Sequence, residues 1–178
     1  VGSFEDTCTV EVDAPLERII PSVERLEMVK NQTADIDYTL DPSDTTSDQT
    51  VTFSSSEPSV AEVDASTGLV TAKKAGDTVI TLAGADHITA TVPVTVTEIP
   101  INAVVLDKQS AIVEKGETTE LTATVSPDNN TDDDKTITWT SSDETIAAVS
   151  AGTTDSGETV TITATDKGGT VTITAEAW

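Results

Sequence analysis

Ser59-Val60-Ala61-Glu62-Val63-Asp64-Ala65-Ser66-Thr67-Gly68-Leu69-Val70-Thr71-Ala72-Lys73-Lys74-Ala75-Gly76-Asp77-Thr78-Val79-Ile80-Thr81 reads as three short strands joined by two turns. The apolar run Val60-Ala61-Glu62-Val63 ends in a polar cluster, and Gly68-Leu69-Val70-Thr71-Ala72 alternates after it. Lys74-Ala75-Gly76-Asp77 then turns the chain into Thr78-Val79-Ile80-Thr81-Leu82. Short alternating runs rich in β-branched residues, bounded by Gly, Asp and Ser, are strand signals. No stretch of the chain shows a 3.6-residue apolar period, so the pattern predicts no helix longer than a turn or two.

The same order of features occurs twice. Pro42 and Pro127 stand 85 residues apart, each after an alternating strand, Ala34-Asp35-Ile36-Asp37-Tyr38-Thr39-Leu40 in one copy and Glu120-Leu121-Thr122-Ala123-Thr124-Val125 in the other. After a polar loop each copy has a strand ending on an aromatic and serines, Val51-Thr52-Phe53-Ser54-Ser55-Ser56 and Ile137-Thr138-Trp139-Thr140-Ser141-Ser142. The apolar run of the second copy is Ile146-Ala147-Ala148-Val149, and its later strands are Glu158-Thr159-Val160-Thr161-Ile162-Thr163 and Thr170-Val171-Thr172-Ile173-Thr174. A period of this length with turns between short strands predicts two tandem β-sandwiches of roughly seven strands each. Phe53 and Trp139 occupy equivalent strand positions and are expected at the heart of each core.

Composition agrees with an all-β chain and narrows what it does. The 178 residues suit two small domains. Hydrophobic residues make up 36% but aromatics only 3%, so the cores must be filled by Val, Ile, Leu and Ala. Thr occurs 34 times, mostly alternating with Val or Ile, which suits the solvent face of strands. Thirty-two acidic against nine basic residues give a formal charge of -23, spread as -4 over residues 1–14, -9 over 15–99 and -10 over 100–178. Such a field repels nucleic acid and anionic membrane. No run approaches 18 apolar residues, so no membrane-spanning helix is predicted.

The lysine and turn residue before the second strand (Lys30-Asn31, Lys115-Gly116), the serines after the aromatic, and the run from Ser59 to Thr81 resemble bacterial immunoglobulin-like domains of group 2. The resemblance covers nearly the whole chain, closely in the first copy and more loosely in the second, which lacks the Gly68-Leu69-Val70-Thr71-Ala72 wording. It implies an extracellular, cell-surface or virion-surface protein of the kind found among intimin- and invasin-like adhesins, cell-wall proteins and phage particles. It implies no shared active site, because the fold hosts many roles.

The ends of the two copies differ. The first closes with Thr91-Val92-Pro93-Val94-Thr95-Val96-Thr97, whereas the second runs from its sixth strand into Ala175-Glu176-Ala177-Trp178. The chain opens with Thr7-Cys8-Thr9-Val10-Glu11-Val12-Asp13, whose inward set would be Cys8, Val10 and Val12. The expected organisation is therefore an extra N-terminal strand within residues 1–14, a first Ig-like domain over 15–99, and a second over 100–178 that lacks its last strand. A chain beginning at Val1 is either a processed product or a cut from a longer array. In the first case residues 1–13 complement the open sandwich of another copy, linking copies head to tail into a pilus-like filament, with Cys8, Val10, Val12 and Trp178 at the junction. In the second the chain is a spacer or binding module of an adhesin, or a decoration protein on a phage particle. Besides copies of itself, a host receptor or glycan is the remaining kind of partner.

Chemistry-bearing residues are few. His87 is the only histidine and Cys8 the only cysteine, which excludes a histidine-rich metal site and an intrachain disulfide. The loop Asp128-Asn129-Asn130-Thr131-Asp132-Asp133-Asp134 offers hard oxygen ligands, and Asp128, Asp132, Asp133 and Asp134 are the candidates for calcium. The loop lacks the glycine and distal glutamate of an EF-hand, and a solvated turn is the competing reading. The expectation is a non-enzymatic protein.

Overall fold

The computed structural model describes residues 5–178 and divides into two compact units, Val1–Thr97 and Glu98–Trp178. In the first unit the strands are β1 (Arg18–Pro21), β2 (Leu26–Val29), β3 (Thr33–Asp35), β4 (Tyr38–Asp41), β5 (Thr52–Ser55), β6 (Ala61–Val63), β7 (Leu69–Ala72), β8 (Gly76–Ala83) and β9 (Thr89–Thr97). One sheet has the order β2-β9-β8-β5, and the facing strands pair as β3-β7-β6 and β1-β4. The only helical element among the described residues is a single 3-10 turn, Ala85–His87. The segment expected as one strand over 34–40 is two, because the chain changes partner at Ile36: β3 pairs with β7 and β4 with β1.

Alternation decides which side chains meet. Val92, Val94 and Val96 of β9 are each at most 2% exposed, and they pack with Ile80 and Leu82 of β8 and Val70 of β7. Phe53 is buried in the same cluster, its ring 5.9 Å from that of Tyr38. The beginning of β8 passes close to the turn before β6, so that a Cβ on Gly76 would lie 3.0 Å from Val60 Cγ2.

The second unit contains β10 (Ala103–Leu106), β11 (Thr118–Ser126), β12 (Thr136–Ser141), β13 (Ala147–Val149), β14 (Thr153–Asp155), β15 (Thr159–Ala164) and β16 (Ile173–Glu176). They form two sheets, β10-β11-β15-β13 and β14-β12-β16. The core is Leu121, Ala123, Val125, Ile137, Trp139, Ala147, Val160 and Ile162. Trp139 is buried and its indole N–H donates to Thr154 Oγ1 at 2.9 Å. Seven strands are reached here through β14, a short hairpin strand the sequence pattern did not announce, and not through a closing strand.

The two units begin on the same clasp. In the first, Thr46 N donates to Ala14 O at 2.8 Å while Ala14 N donates to Thr46 Oγ1 at 3.0 Å. In the second, Thr131 N donates to Ile99 O at 2.8 Å and Ile99 N to Thr131 Oγ1 at 2.9 Å. One threonine thus satisfies both backbone groups of the residue that leads into each sandwich. Immediately before the second clasp runs β9, and before the first runs the segment Thr7 to Asp13.

An extra N-terminal strand does not appear within this copy. Residues 5–17 belong to no strand: Ala14, Leu16 and Glu17 are held by isolated hydrogen bonds to Thr46, Ser47 and Asp41, and among the described residues nothing pairs as a ladder with 7–13. Residues 1–4 of the expected segment lie outside the described residues.

Candidate functional site: an open strand edge

The site is an edge. In the first unit β9 is flanked on both sides, antiparallel to β8 and parallel to β2. On the β8 side Ile80 lies opposite Val92, Thr78 opposite Val94 and Gly76 opposite Val96. On the β2 side Leu26 lies beside Val94 and Met28 beside Val96. This parallel pairing inserts β9 between two strands, and Lys30 N donates to Thr97 O at 2.8 Å at its end.

Pairings with the aromatic strand transfer these positions to the second unit. Phe53 lies opposite Leu82, and Trp139 opposite Ala175. Counting back, Ile80 corresponds to Ile173, Thr78 to Val171 and Gly76 to Gly169. A Cβ on Gly169 would lie 2.7 Å from Ile146 Cδ1, the same approach that Gly76 makes to Val60. On the other flank Asn31 and Gly116 both have positive φ, 72° and 78°, and both donate their N–H to the end of a strand, Ala72 O and Ala164 O. Leu26 and Met28 therefore correspond to Ala111 and Val113.

Nothing among the described residues lies between these flanks. A groove of about 470 Å³ runs there, lined by Ala111, Val113, Leu121, Ile162, Val171 and Ile173 among others. Ile80 is fully buried under β9, while Ile173 is only half-buried; Met28 is buried, while Val113 is half-buried. The residues of 109–114 form no strand, and Ile112 is fully exposed. Lys108, Lys115 and Lys167, three of the four basic residues of residues 98–178, also line the groove. Lys108 and Lys167 reach Asp107 and Asp143, at 3.7 and 3.2 Å.

Of the expected junction residues, Cys8 is a free, exposed thiol, and Val10 and Val12 are 77% and 78% exposed. Trp178 is 95% exposed and does not line the groove, so its side chain is not part of this site in a single copy. His87 sits exposed at the 3-10 turn beside Asp86, whose Oδ2 accepts from Ser47 Oγ at 2.8 Å.

The acidic loop is a hydrogen-bonded turn. Asp132 Oδ2 accepts from Ile101 N at 2.5 Å, Asp134 Oδ1 from Thr136 N at 2.9 Å, and Asn130 Nδ2 donates to Pro127 O at 2.7 Å. Asn130 Oδ1 is buried without a hydrogen-bond partner. Among the described residues no three Asp, Glu, His or Cys side chains gather where they could hold a metal ion. The groove presents apolar side chains bordered by lysines.

Known proteins share this sequence pattern and this fold. The sequence pattern of the family described as bacterial Ig-like domain (group 2) matches residues 19–98 and again 100–177. An uncharacterised protein of Clostridium acetobutylicum is 34% identical over 152 residues, which is 84% of this chain but 15% of that relative's length. Among solved structures, the surface layer protein SbsC, domains 1–6, superposes with a TM-score of 0.54 at 18% identity, covering 94% of this chain and 27% of that one. SbsC domains 4 and 5 superpose at 0.51 with 21% identity, covering 93% and 95%. These likenesses extend the two-sandwich fold to a second, distant pair of domains. With two matched repeats spanning nearly its full length, the chain belongs to the bacterial Ig-like domain (group 2) family.

Proposed function

We propose that the chain is a non-enzymatic structural subunit of an extracellular or cell-surface fibre, assembled by strand donation. The observation that carries this reading is the open edge of the second sandwich, matched in the same molecule by an unpaired segment with the alternation of β9. An edge left open in this way is a template for another strand, and a heterologous contact of this kind propagates without closing. The likeness to surface layer domains supports a location outside the cell.

A second reading is favoured by the relative's length. The chain spans 15% of that Clostridium acetobutylicum protein, which fits a spacer or presenting module within a longer array. The two differ in what purified chain does. Donation yields ladders and fibres by sizing and electron microscopy, whereas a spacer stays monomeric. Val10→Asp places a charge where an apolar side chain is needed. It is expected to abolish assembly while the melting transition of the first sandwich is unchanged; fibres that persist in this variant overturn the donation reading.

A further inference from the structure

The groove and the segment before the first clasp define a specific register, resting on the fibre reading above. We infer that the groove binds residues 7–13 of a second copy of this chain, with Cys8 opposite Ile173, Val10 between Val171 and Ala111, and Val12 between Gly169 and Val113. Asp13 then stands where Thr97 stands in the first unit, its carbonyl accepting from Lys115 N as Thr97 O accepts from Lys30 N.

Three observations select this occupant. The first is shape: β9 fills the equivalent slot with three inward residues spaced by two, and Cys8, Val10 and Val12 have that spacing. The second is charge. Residues 5–13 carry Glu5, Asp6, Glu11 and Asp13 and no base, while Lys108, Lys115 and Lys167 line the groove of a chain with a formal charge of -23. That clustering sets a local attraction against the overall repulsion between copies. The third is availability, since Cys8, Val10 and Val12 are exposed and residues 5–13 pair with no strand in their own copy.

Register follows from what a slip would bury. Moving the donor by two residues one way brings Asp6 inward opposite Ile173, leaving a charge in an apolar slot. Moving it by two the other way pulls Ala14 into the position opposite Gly169, at the expense of its clasp to Thr46. A one-residue slip turns Thr7, Thr9, Glu11 and Asp13 inward.

Native Cys8 supplies the test. Directly opposed residues of an antiparallel pair have Cα atoms about 4.5–5.5 Å apart, within disulfide reach, while diagonal neighbours at about 7–8 Å are not. Ile173→Cys in the full chain, oxidised at high protein concentration, is expected to give a ladder of disulfide-linked oligomers on a non-reducing gel. The ladder should collapse on reduction and disappear in the Cys8→Ser, Ile173→Cys double variant. Wild type, with one thiol, stops at dimer, and Val171→Cys should cross-link at least about tenfold less. A stronger ladder from Val171→Cys overturns the register but leaves the fibre reading standing. No ladder from either variant, with the chain sedimenting as a monomer, overturns the second copy as occupant. The groove then takes another strand, such as one following Trp178 in a longer polypeptide.

Discussion

Trp139 and Phe53 occupy one station in two sandwiches, yet their surroundings differ. Trp139 adds a polar handle, its N–H reaching Thr154 Oγ1, while Phe53 packs on Tyr38. Removing either ring leaves a cavity the thin core cannot close. Trp139→Ala or Phe53→Ala is expected to cost about 3–5 kcal/mol in chemical denaturation. Trp139→Phe should cost less, and a shift near zero for the alanine variants would sink the core assignment. Gly68 is constrained differently. Its φ of +78° is a left-handed conformation, and a Cβ there would sit 2.8 Å from both Ile36 O and Phe53 Cζ. The backbone alone makes Gly68→Ala cost about 1–2 kcal/mol, and the contact with a carbonyl that cannot move away adds to it. Denaturant midpoints measure this directly, and an unchanged midpoint would show that the turn relaxes freely.

Single hydroxyls organise strand ends at the next scale. Thr78 of β8 is buried, and its Oγ1 lies 3.0 Å from Ser55 Oγ, 3.1 Å from Ser56 Oγ and 2.9 Å from Glu57 N, which donates to it. This ties β8 to the end of β5 beside the turn into β6. Thr78→Val keeps the shape and leaves the Glu57 N–H without its acceptor, at an expected cost of about 1–3 kcal/mol in the melting of the first unit. The second unit has Val171 at this position, half-buried on the groove wall. The first unit puts a hydroxyl at that station and the second an apolar wall, so a loss much below 0.5 kcal/mol would argue that solvent replaces the bond. Aspartate turns mark the same boundaries. Asp64 Oδ1 accepts from Ser66 Oγ at 2.8 Å and from Ser66 N and Thr67 N at 2.9 and 2.8 Å, before β7.

Across the molecule these turns set the response to acid. Asp64 is held well below the usual carboxylate range, chiefly by the Ser66 hydroxyl and then the backbone N–H groups. Asp143 is lowered by Thr145 first and with a contribution from Lys167, Asp48 by Thr50, and Asp134 by Thr136. A carboxylate whose folded value is depressed stabilises the fold fully above its ordinary value of 3.8. As pH falls further the unfolded chain takes up protons first, and the stabilisation is lost. Thermal melts between pH 5 and pH 2 should therefore fall on the acid side, opposed by relief of repulsion among the acidic residues. That relief is common to wild type and Asp64→Ala, so the comparison isolates one carboxylate: the variant should melt lower at pH 5 and with a shallower acid slope. Parallel curves would show that the turn does not hold Asp64.

What was legible in the sequence is what depends on neighbours in the chain. Alternation placed Val92, Val94 and Val96 inward, which follows from the two-residue period of a strand, and the repeat equated Phe53 with Trp139, both of them buried. Even the family is carried by local wording, because Gly68 and Gly76 stand where a turn or a close approach admits no side chain. The partner of each strand was not legible. The split of 34–40 at Ile36, the parallel seat of β9 beside β2, the added β14 and the lysines gathered around the groove all join residues far apart in sequence. Parallel pairing imposes no turn signal, and a loop lysine shows no periodicity, so neither leaves a trace in local pattern. Sequence alone determined that residues 98–178 hold no counterpart of the Val92, Val94 and Val96 strand; only the tertiary structure decided that the flanks of that position form an apolar, lysine-bordered groove, because a groove exists only when two flanks from distant segments face each other.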